Sequence, residues 1–149
     1  MSNLYNNLPP ESLKEIYKTQ IQPGAVFFLY DEIARKEKFI VILGIDADEL
    51  IIGTLYINSE INQKVIRSLE EKGLQYKIRA SDYEFLHHDS YINASKVTIR
   101  DYNYFLQLLT IKNGAYKAAI NEKDFDYIRS IMAESKVIPK SEKKKFGLI

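Results

Sequence analysis

The sequence contains no cysteine and only two histidines among its 149 residues. Without cysteine the chain has neither disulfides nor thiolate metal ligands. Its formal net charge is +1, so the protein as a whole has no general attraction to nucleic acid or to an anionic membrane. The N-terminal stretch lacks the apolar core of a signal peptide, and no apolar run reaches membrane-spanning length. We therefore expect a cytoplasmic protein that does not associate with membranes.

The composition is that of one globular domain. Hydrophobic residues make up 46% of the chain, enough for a core in a domain of this size. Any polyanion site must come from local charge segregation, and basic residues do cluster at two places. The clusters are Arg35, Lys36 and Lys38, and then Lys140, Lys143, Lys144 and Lys145.

Three apolar runs rich in β-branched and aromatic residues predict strands at residues 25–30, 38–45 and 50–57. Each run is continuous rather than alternating, which indicates strands buried on both faces or strongly curled. The connections between the runs are too short for parallel crossovers. We therefore predict that the three runs form consecutive antiparallel strands, with a tight turn at residues 46–48.

Helical spacing and capping residues predict the remaining elements. Helices are expected at residues 10–20, from Asn58 or Ser59 to Gly73, at 101–110 after Asp101, and from Asn121 to about 133. Shorter strands are expected at residues 74–79, 83–86, 91–93 and 96–99. The Lys-rich segment from residue 137 onward is expected to be loosely held. The fold class is α+β, a small curled antiparallel sheet decorated by helices.

The segment 85–96, FLHHDSYINASK, concentrates groups that exchange protons near neutral pH. Adjacent residues on a strand face opposite sides, so we expect at most one histidine to face a common site. We favour His88, which Asp89 and Ser90 are expected to orient. In the alternative interpretation both histidines are exposed loop residues and Asp89 caps a turn. The spacing matches no metal-binding pattern, so we expect no metal and no cofactor.

Four segments resemble the PemK/MazF family of toxins from toxin–antitoxin modules: Pro23-Gly24, FIVIL at 39–43, IIGTLYINS at 51–59, and LHHDSYINASKV at 86–97. The resemblance covers roughly residues 23–101, about half of the chain. It implies a single domain built on an SH3-like β-barrel over about 23–100. Added helices would lie before the barrel and at about 101–135, followed by a basic tail at 137–149.

The resemblance also implies site residues for a metal-independent endoribonuclease. Members that cleave RNA use a basic residue before the second strand and a hydroxyl after the third. These positions correspond to Lys38, with Lys36 as a substitute, and to Ser59. With His88, Lys38 and Ser59 are the expected catalytic residues. The residues expected to bind RNA are Lys36, His87, Asp89 and Ser90.

The sequence departs from the family pattern in ways that bear on catalysis. The family's arginine before the second strand is absent, Phe39 replaces a proline, and Ala25 replaces an acidic residue. Lysine stabilises a phosphorane but cannot form the bidentate fork of arginine. The second hypothesis is therefore a non-catalytic barrel that binds a protein partner such as an antitoxin-like peptide. A third is an unrelated α+β adaptor. Ser59 also has a structural alternative as a helix N-cap.

Two further features concern partners. The 11 tyrosines suit base stacking, although Tyr102, Tyr104, Tyr116 and Tyr127 occupy positions typical of core packing. The two C-terminal helices carry more apolar side chains than one short sheet is expected to cover. These side chains are Tyr102, Phe105, Leu109, Phe125, Ile128 and Met132. Together with the dimers of the family, this surplus predicts a homodimer.

Overall fold

The computed structural model describes residues 8–61, 68–112 and 114–149, in which helices pack on a curled sheet. The helices are α1 (Pro10–Gln20), α2 (Leu69–Gly73), α3 (Tyr102–Ile111), α4 (Glu122–Glu134) and α5 (Lys140–Lys145). The strands are β1 (Ala25–Asp31), β2 (Lys36–Asp46), β3 (Ile51–Asn58), β4 (Gln75–Ile78), β5 (Ser90–Asn93), β6 (Thr98–Asp101) and β7 (Tyr116–Ala119). The α+β class is as predicted. None of the helices in these ranges has the length and apolar character needed to cross a bilayer.

The strands form one antiparallel sheet in the order β4-β5-β3-β2-β1-β7, with β6 also paired to β3. The strand β3 uses one edge for two partners: its beginning pairs with β6 and its end with β5. Curling of the sheet into a half-barrel accommodates this arrangement. The predicted antiparallel order of the first three strands is confirmed, and the register pairs Val26 with Val41 and Val41 with Leu55.

The strand β2 is buried continuously because both of its faces are covered, as its apolar run predicts. Ile40 and Ile42 belong to a core cluster with α1 and α3, whereas Val41 and Leu43 belong to a second cluster with α4. Successive residues of a strand point to opposite faces, so an apolar run without alternation requires a cover on both. The sheet therefore lies between two layers of helices.

The predicted helix caps at Asp101 and Asn121 are both present. Asp101 Oδ2 accepts a hydrogen bond from the Tyr104 amide at 2.8 Å, and Asn121 Oδ1 accepts one from the Asp124 amide at 2.8 Å. The six apolar side chains taken as a surplus pack against the two core clusters. That reason for expecting a homodimer therefore does not hold, and the homodimer itself stays a prediction.

Several boundaries differ from those predicted. Residues 83–86 form turns rather than a strand, β6 begins at Thr98, and β7 was not predicted. Of the helix expected from Asn58 or Ser59 to Gly73, residues 59–61 are not helical, whereas the part from Leu69 onward is helical with Ser68 as its cap. Residues 62–67 lie outside the described ranges. The missed strand β7 reads YKAA and lacks the apolar alternation that marks a strand.

The prediction of a loosely held basic tail is wrong. After residue 137 the chain forms α5, and Phe146 is buried on the sheet with 3% of its surface exposed. Lys143 Nζ donates to the carbonyl oxygens of Ala133 at 2.9 Å and Ser135 at 2.5 Å. These bonds occupy carbonyls at the end of α4, where a cation is favoured. One lysine of the tail is therefore structural.

Candidate active site

A cavity of about 240 Å³ opens beside the ends of β2 and β3, and we call it the lysine–histidine groove. Its lining residues are Phe28, Lys36, Glu37, Lys38, Phe39, Ile57, Ser59, Leu86, His87, His88 and Ser90. The groove thus brings together six of the seven candidate residues from three separate parts of the chain. Asp89 is the candidate that does not line it.

The two lysines of the groove come from the start of β2. Alternate residues of a strand share a face, which places Lys36 and Lys38 side by side. Lys36 is exposed, whereas Lys38 is half-buried and its Nζ donates a hydrogen bond to Asn58 Oδ1 at the end of β3. The same Nζ lies 5.5 Å from the ring centroid of Tyr56. Lys38 is therefore held in place on two sides.

The environment of Lys38 makes its ammonium easier to deprotonate. Burial lowers the pKa of Lys38, the nearby charge of Lys36 lowers it further, and the carboxylate of Asp31 partly opposes both effects. Removing water from a charged amine and placing a second cation beside it both disfavour protonation. A lysine with a lowered pKa exchanges protons more readily than an ordinary one.

Both histidines line the groove and both are exposed. The expectation that only one would face the site is wrong because residues 87–88 form a bend rather than a strand. Ser90 Oγ donates to the carbonyl oxygen of His88 at 3.0 Å, while Asp89 Oδ1 accepts from the Ala80 amide at 2.9 Å. Asp89 and Ser90 thus fix the backbone of the segment and not an imidazole, contrary to the expected role.

The third strand supplies the hydroxyl of the groove. Ser59 directly follows β3, is exposed and lines the groove beside the histidines. In the alternative interpretation Ser59 caps a helix that begins at residue 60, but residues 60 and 61 are not helical. Residues 62–67 lie outside the described ranges. A hydroxyl here offers a donor and an acceptor to a ligand in the groove.

Phe28 and Phe39 form the aromatic part of the groove's apolar lining, which also includes Ile57 and Leu86. The ring centroids of Phe28 and Phe39 lie 4.5 Å apart, and those of Phe39 and Phe85 lie 5.1 Å apart. Lys112 Nζ lies 5.7 Å from the centroid of Phe28. The sequence pointed to tyrosines for base stacking, but the aromatic residues lining the groove are Phe28 and Phe39.

A buried polar network lies behind Lys38, and sequence reasoning missed it. Asp31 has 1% of its surface exposed and accepts from Arg100 Nη1 at 2.7 Å and from the Tyr56 hydroxyl. Arg100 Nε donates to Thr54 Oγ1 at 2.8 Å. Burial alone would raise the pKa of Asp31, but the hydrogen bonds from Tyr56 and Arg100 outweigh it and lower the pKa.

A second cluster joins α4 to β4. Asp124 accepts from the hydroxyls of Tyr76 at 2.5 Å and Tyr83 at 2.6 Å, and the Tyr83 oxygen accepts from the Asn121 amide at 3.1 Å. The hydrogen bond to Asp124, followed by burial, raises the pKa of Tyr76 to about 12. Burial and the bond to Asp124 also raise the pKa of Tyr83. This cluster positions the helix and lies outside the groove.

The groove offers cations, imidazoles and a hydroxyl, which are groups that bind phosphate and transfer protons. Within residues 8–61, 68–112 and 114–149, no three His, Asp or Glu side chains group as metal ligands. In comparisons with known proteins, the chain matches no protein-family model and no curated protein.

Proposed function

We propose that the protein is a toxin-like RNA-binding protein that acts as a metal-independent endoribonuclease through the lysine–histidine groove. The observation that carries the proposal is the convergence of Lys38, Ser59 and His88 in one groove. These residues come from β2, from the residue after β3, and from the bend before β5. The three segments are distant in sequence, and the fold brings them together beside the rings of Phe28 and Phe39.

The groove holds the groups that RNA cleavage requires. His88 removes the proton of a 2′-hydroxyl, the 2′-oxygen attacks phosphorus, and the bond to the 5′-oxygen breaks. His87 protonates the departing 5′-oxygen, so protons balance without a cofactor. Lys38 and Lys36 stabilise the negative charge that develops on the phosphorus oxygens, and Ser59 donates to one of them. The products are a 2′,3′-cyclic phosphate and a 5′-hydroxyl.

We also infer that the curled sheet is a PemK/MazF-like, SH3-like barrel with added helices. The support is the ion pair between Arg100 of β6 and Asp31 of β1. In the sheet, the two strands β2 and β3 lie between β1 and β6. A sheet must curl for these strands to come within hydrogen-bonding distance. An antitoxin-like protein lying across the groove is the partner that this function implies.

The test is incubation of the purified protein with single-stranded RNAs of varied sequence. We expect fragments that end in a 2′,3′-cyclic phosphate, and a loss of about 100-fold or more in rate for Lys38→Ala and for His88→Ala. Ser59→Ala is expected to lose less, about tenfold, since it removes one hydrogen bond to the phosphate. The matched control is Lys18→Ala, an exposed lysine on α1.

If the Lys38 and His88 variants cleave RNA at the wild-type rate, these residues have other roles. Cleavage with linear phosphate ends would show a different chemistry. Absence of cleavage with every RNA would favour the alternative, a non-catalytic module that binds a protein partner. That alternative has its own support in the structure, because Asp89 and Ser90 bond to backbone groups and leave the imidazole of His88 without their help.

A further inference from the structure

We propose that a second site, a cleft beside the outer edge of β6, binds an extended peptide segment of a partner protein with alternating apolar and basic residues. The cleft has a volume of about 290 Å³. Its lining residues are Leu29, Tyr30, Asp31, Glu32, Ile33, Ile99, Arg100, Asp101, Tyr104, Phe105 and Leu108. None of them lines the lysine–histidine groove, so this edge cleft is a separate site.

The edge of β6 offers backbone groups to a further strand. The Tyr102 amide donates to the Leu50 carbonyl at 2.9 Å, which fixes the side of the chain that faces β3. Alternate residues of a strand direct their amides and carbonyls to opposite edges. The amide and carbonyl of Ile99 and the amide of Asp101 therefore point away from β3, where no strand of the described ranges pairs with β6. The Asp101 carbonyl, at the N-cap of α3, belongs to the helix. An open edge of this kind is a template for an added strand.

Apolar side chains surround this edge. Ile33, Ile99 and Tyr104 are 67%, 41% and 46% exposed, while Leu29 and Phe105 are buried beneath them. Exposed apolar residues that border a concave, partly buried wall mark a binding surface rather than scattered surface residues. An incoming strand would bury alternate apolar side chains against this wall.

The charges of the cleft select a basic partner. Arg100 neutralises Asp31 at its floor, whereas Glu32 and Asp101 are exposed and form no ion pair in the described ranges. The partners of these two carboxylates are the Tyr104 hydroxyl, at 2.9 Å from Glu32, and the Tyr104 amide, at 2.8 Å from Asp101. A second copy of the chain would bring like charges together, which disfavours self-association at this edge.

The floor of the cleft is pre-organised for binding. Arg100 is fastened by hydrogen bonds to Asp31, Thr54 and Tyr56, so β6 is fixed relative to the end of β1. A site whose walls are already ordered loses less conformational entropy when a ligand binds. The mobile partner in the complex is then the peptide, which becomes a strand.

The test uses a labelled synthetic peptide of about ten residues that alternates valine and lysine, with fluorescence anisotropy as the measurement. Two matched peptides carry glutamate in place of lysine, or proline at alternate positions. We expect the basic peptide to bind. The affinity of each matched peptide should be lower by about tenfold or more. Proline removes the backbone amides that an added strand uses, so it tests the open edge directly.

Protein variants locate the binding. Ile99→Ser and Ile33→Ser are expected to weaken binding about tenfold, whereas Ile111→Ser, at an exposed isoleucine outside the cleft, leaves it unchanged. Glu32→Gln and Asp101→Asn are expected to weaken binding about threefold each. Asparagine still caps a helix, so the Asp101 variant changes the charge without removing the cap. Circular dichroism checks that each variant is folded.

Three results would overturn the proposal. The first is no binding of the basic peptide at about 1 mM, weaker than any useful affinity for a specific site. The second is equal binding of the proline peptide, which would mean that the strand edge is not used. The third is a concentration-dependent dimer in ultracentrifugation that Ile99→Ser abolishes, because a second copy would then occupy the cleft.

Discussion

Phe146 packs its ring directly over Gly53 of β3: a Cβ added to that glycine would lie 2.9 Å from Cδ2 and Cε2 of the ring. On β2, a Cβ at Gly44 would lie 2.7 Å from the carbonyl oxygen of Phe146. The two positions lack side chains where the C-terminal segment crosses the sheet. The docking of the tail therefore depends on two glycines as much as on the phenylalanine.

Gly53→Ala should destabilise the protein by about 1–3 kcal/mol because the added methyl group overlaps the Phe146 ring. Phe146→Ala should cost about 3–5 kcal/mol by leaving a cavity on the sheet. The double variant should cost less than the sum, since the smaller side chain removes the overlap. Urea denaturation of the wild type, the two single variants and the double variant measures this coupling. Gly73→Ala is the matched control, because among the described residues no atom outside its chain neighbours and its own helix backbone lies within 4 Å of the added Cβ.

Additive costs at Gly53 and Phe146 would contradict the packing described for the C-terminal segment. Such a result would mean that the tail leaves the sheet in solution, as the Lys-rich sequence alone suggests. A large loss for Gly73→Ala would point instead to a general effect of replacing glycine.

Asp31 should make stability dependent on pH in the acid range. Its pKa is held below the ordinary value of 3.8, since the hydrogen bonds from Tyr56 and Arg100 outweigh the effect of burial. The stabilisation is complete above pH 3.8 and is lost as the pH falls through the lower folded-state pKa. Asp31→Asn should abolish this part of the dependence and cost about 3–5 kcal/mol, because Arg100 keeps a buried charge without a partner ion.

Urea denaturation at several acid pH values measures the effect of Asp31. Asp126→Asn, at an exposed position of α4, is the control and should behave like the wild type. Replacing both ends of the pair, with Asp31→Leu and Arg100→Met, should recover much of the loss since no buried charge remains. A wild-type dependence on pH that survives Asp31→Asn would assign it to other carboxylates.

The strands and helices that the sequence predicted are those with strong local signals. Continuous apolar runs marked β1, β2 and β3, and side-chain caps marked the starts of α3 and α4. The strand β7 was missed because its partner, β1, lies some 90 residues earlier in the sequence: Ala25 of β1 pairs with Ala119 of β7. Local patterns do not report such pairings.

The sequence predicted only part of the candidate site, again because local signals are visible in a sequence and long-range contacts are not. Lys38, Ser59 and His88 have side chains whose chemistry is visible in the sequence. The resemblance supplied the positions of Lys38 and Ser59, whereas His88 was chosen for its neighbours Asp89 and Ser90. The pair of Arg100 and Asp31 was invisible, because 69 positions separate the two residues and neither belongs to a motif. The bend at residues 87–88 was also missed, and strand alternation does not apply there, so both histidines line the groove.

Asp124 should control alkaline stability through Tyr76. The hydrogen bond to Asp124 and burial raise the pKa of Tyr76 from 10.0 to about 12. The corresponding stabilisation is complete below pH 10 and is lost as the pH rises through about 12. Asp124→Asn should return the pKa of Tyr76 toward 10.0, as measured by the NMR signals of the Tyr76 ring as a function of pH. Asp126→Asn, on the same helix, should leave it near 12. An unchanged titration in both variants would show that the bond is absent in solution.

Lys38 should titrate below the ordinary lysine value of 10.5 because burial and the charge of Lys36 both disfavour its ammonium form. NMR observation of the lysine side chains as a function of pH measures its midpoint. Lys36→Ala should raise the midpoint of Lys38, since one repulsive charge is removed, and Asp31→Asn should lower it, since an attractive charge is removed. Opposite shifts in these two variants would establish that Lys38 senses both the groove and the buried network. A midpoint for Lys38 at the ordinary value of 10.5, unchanged by either substitution, would show that the side chain is solvated and would remove the electrostatic basis for its role in the groove.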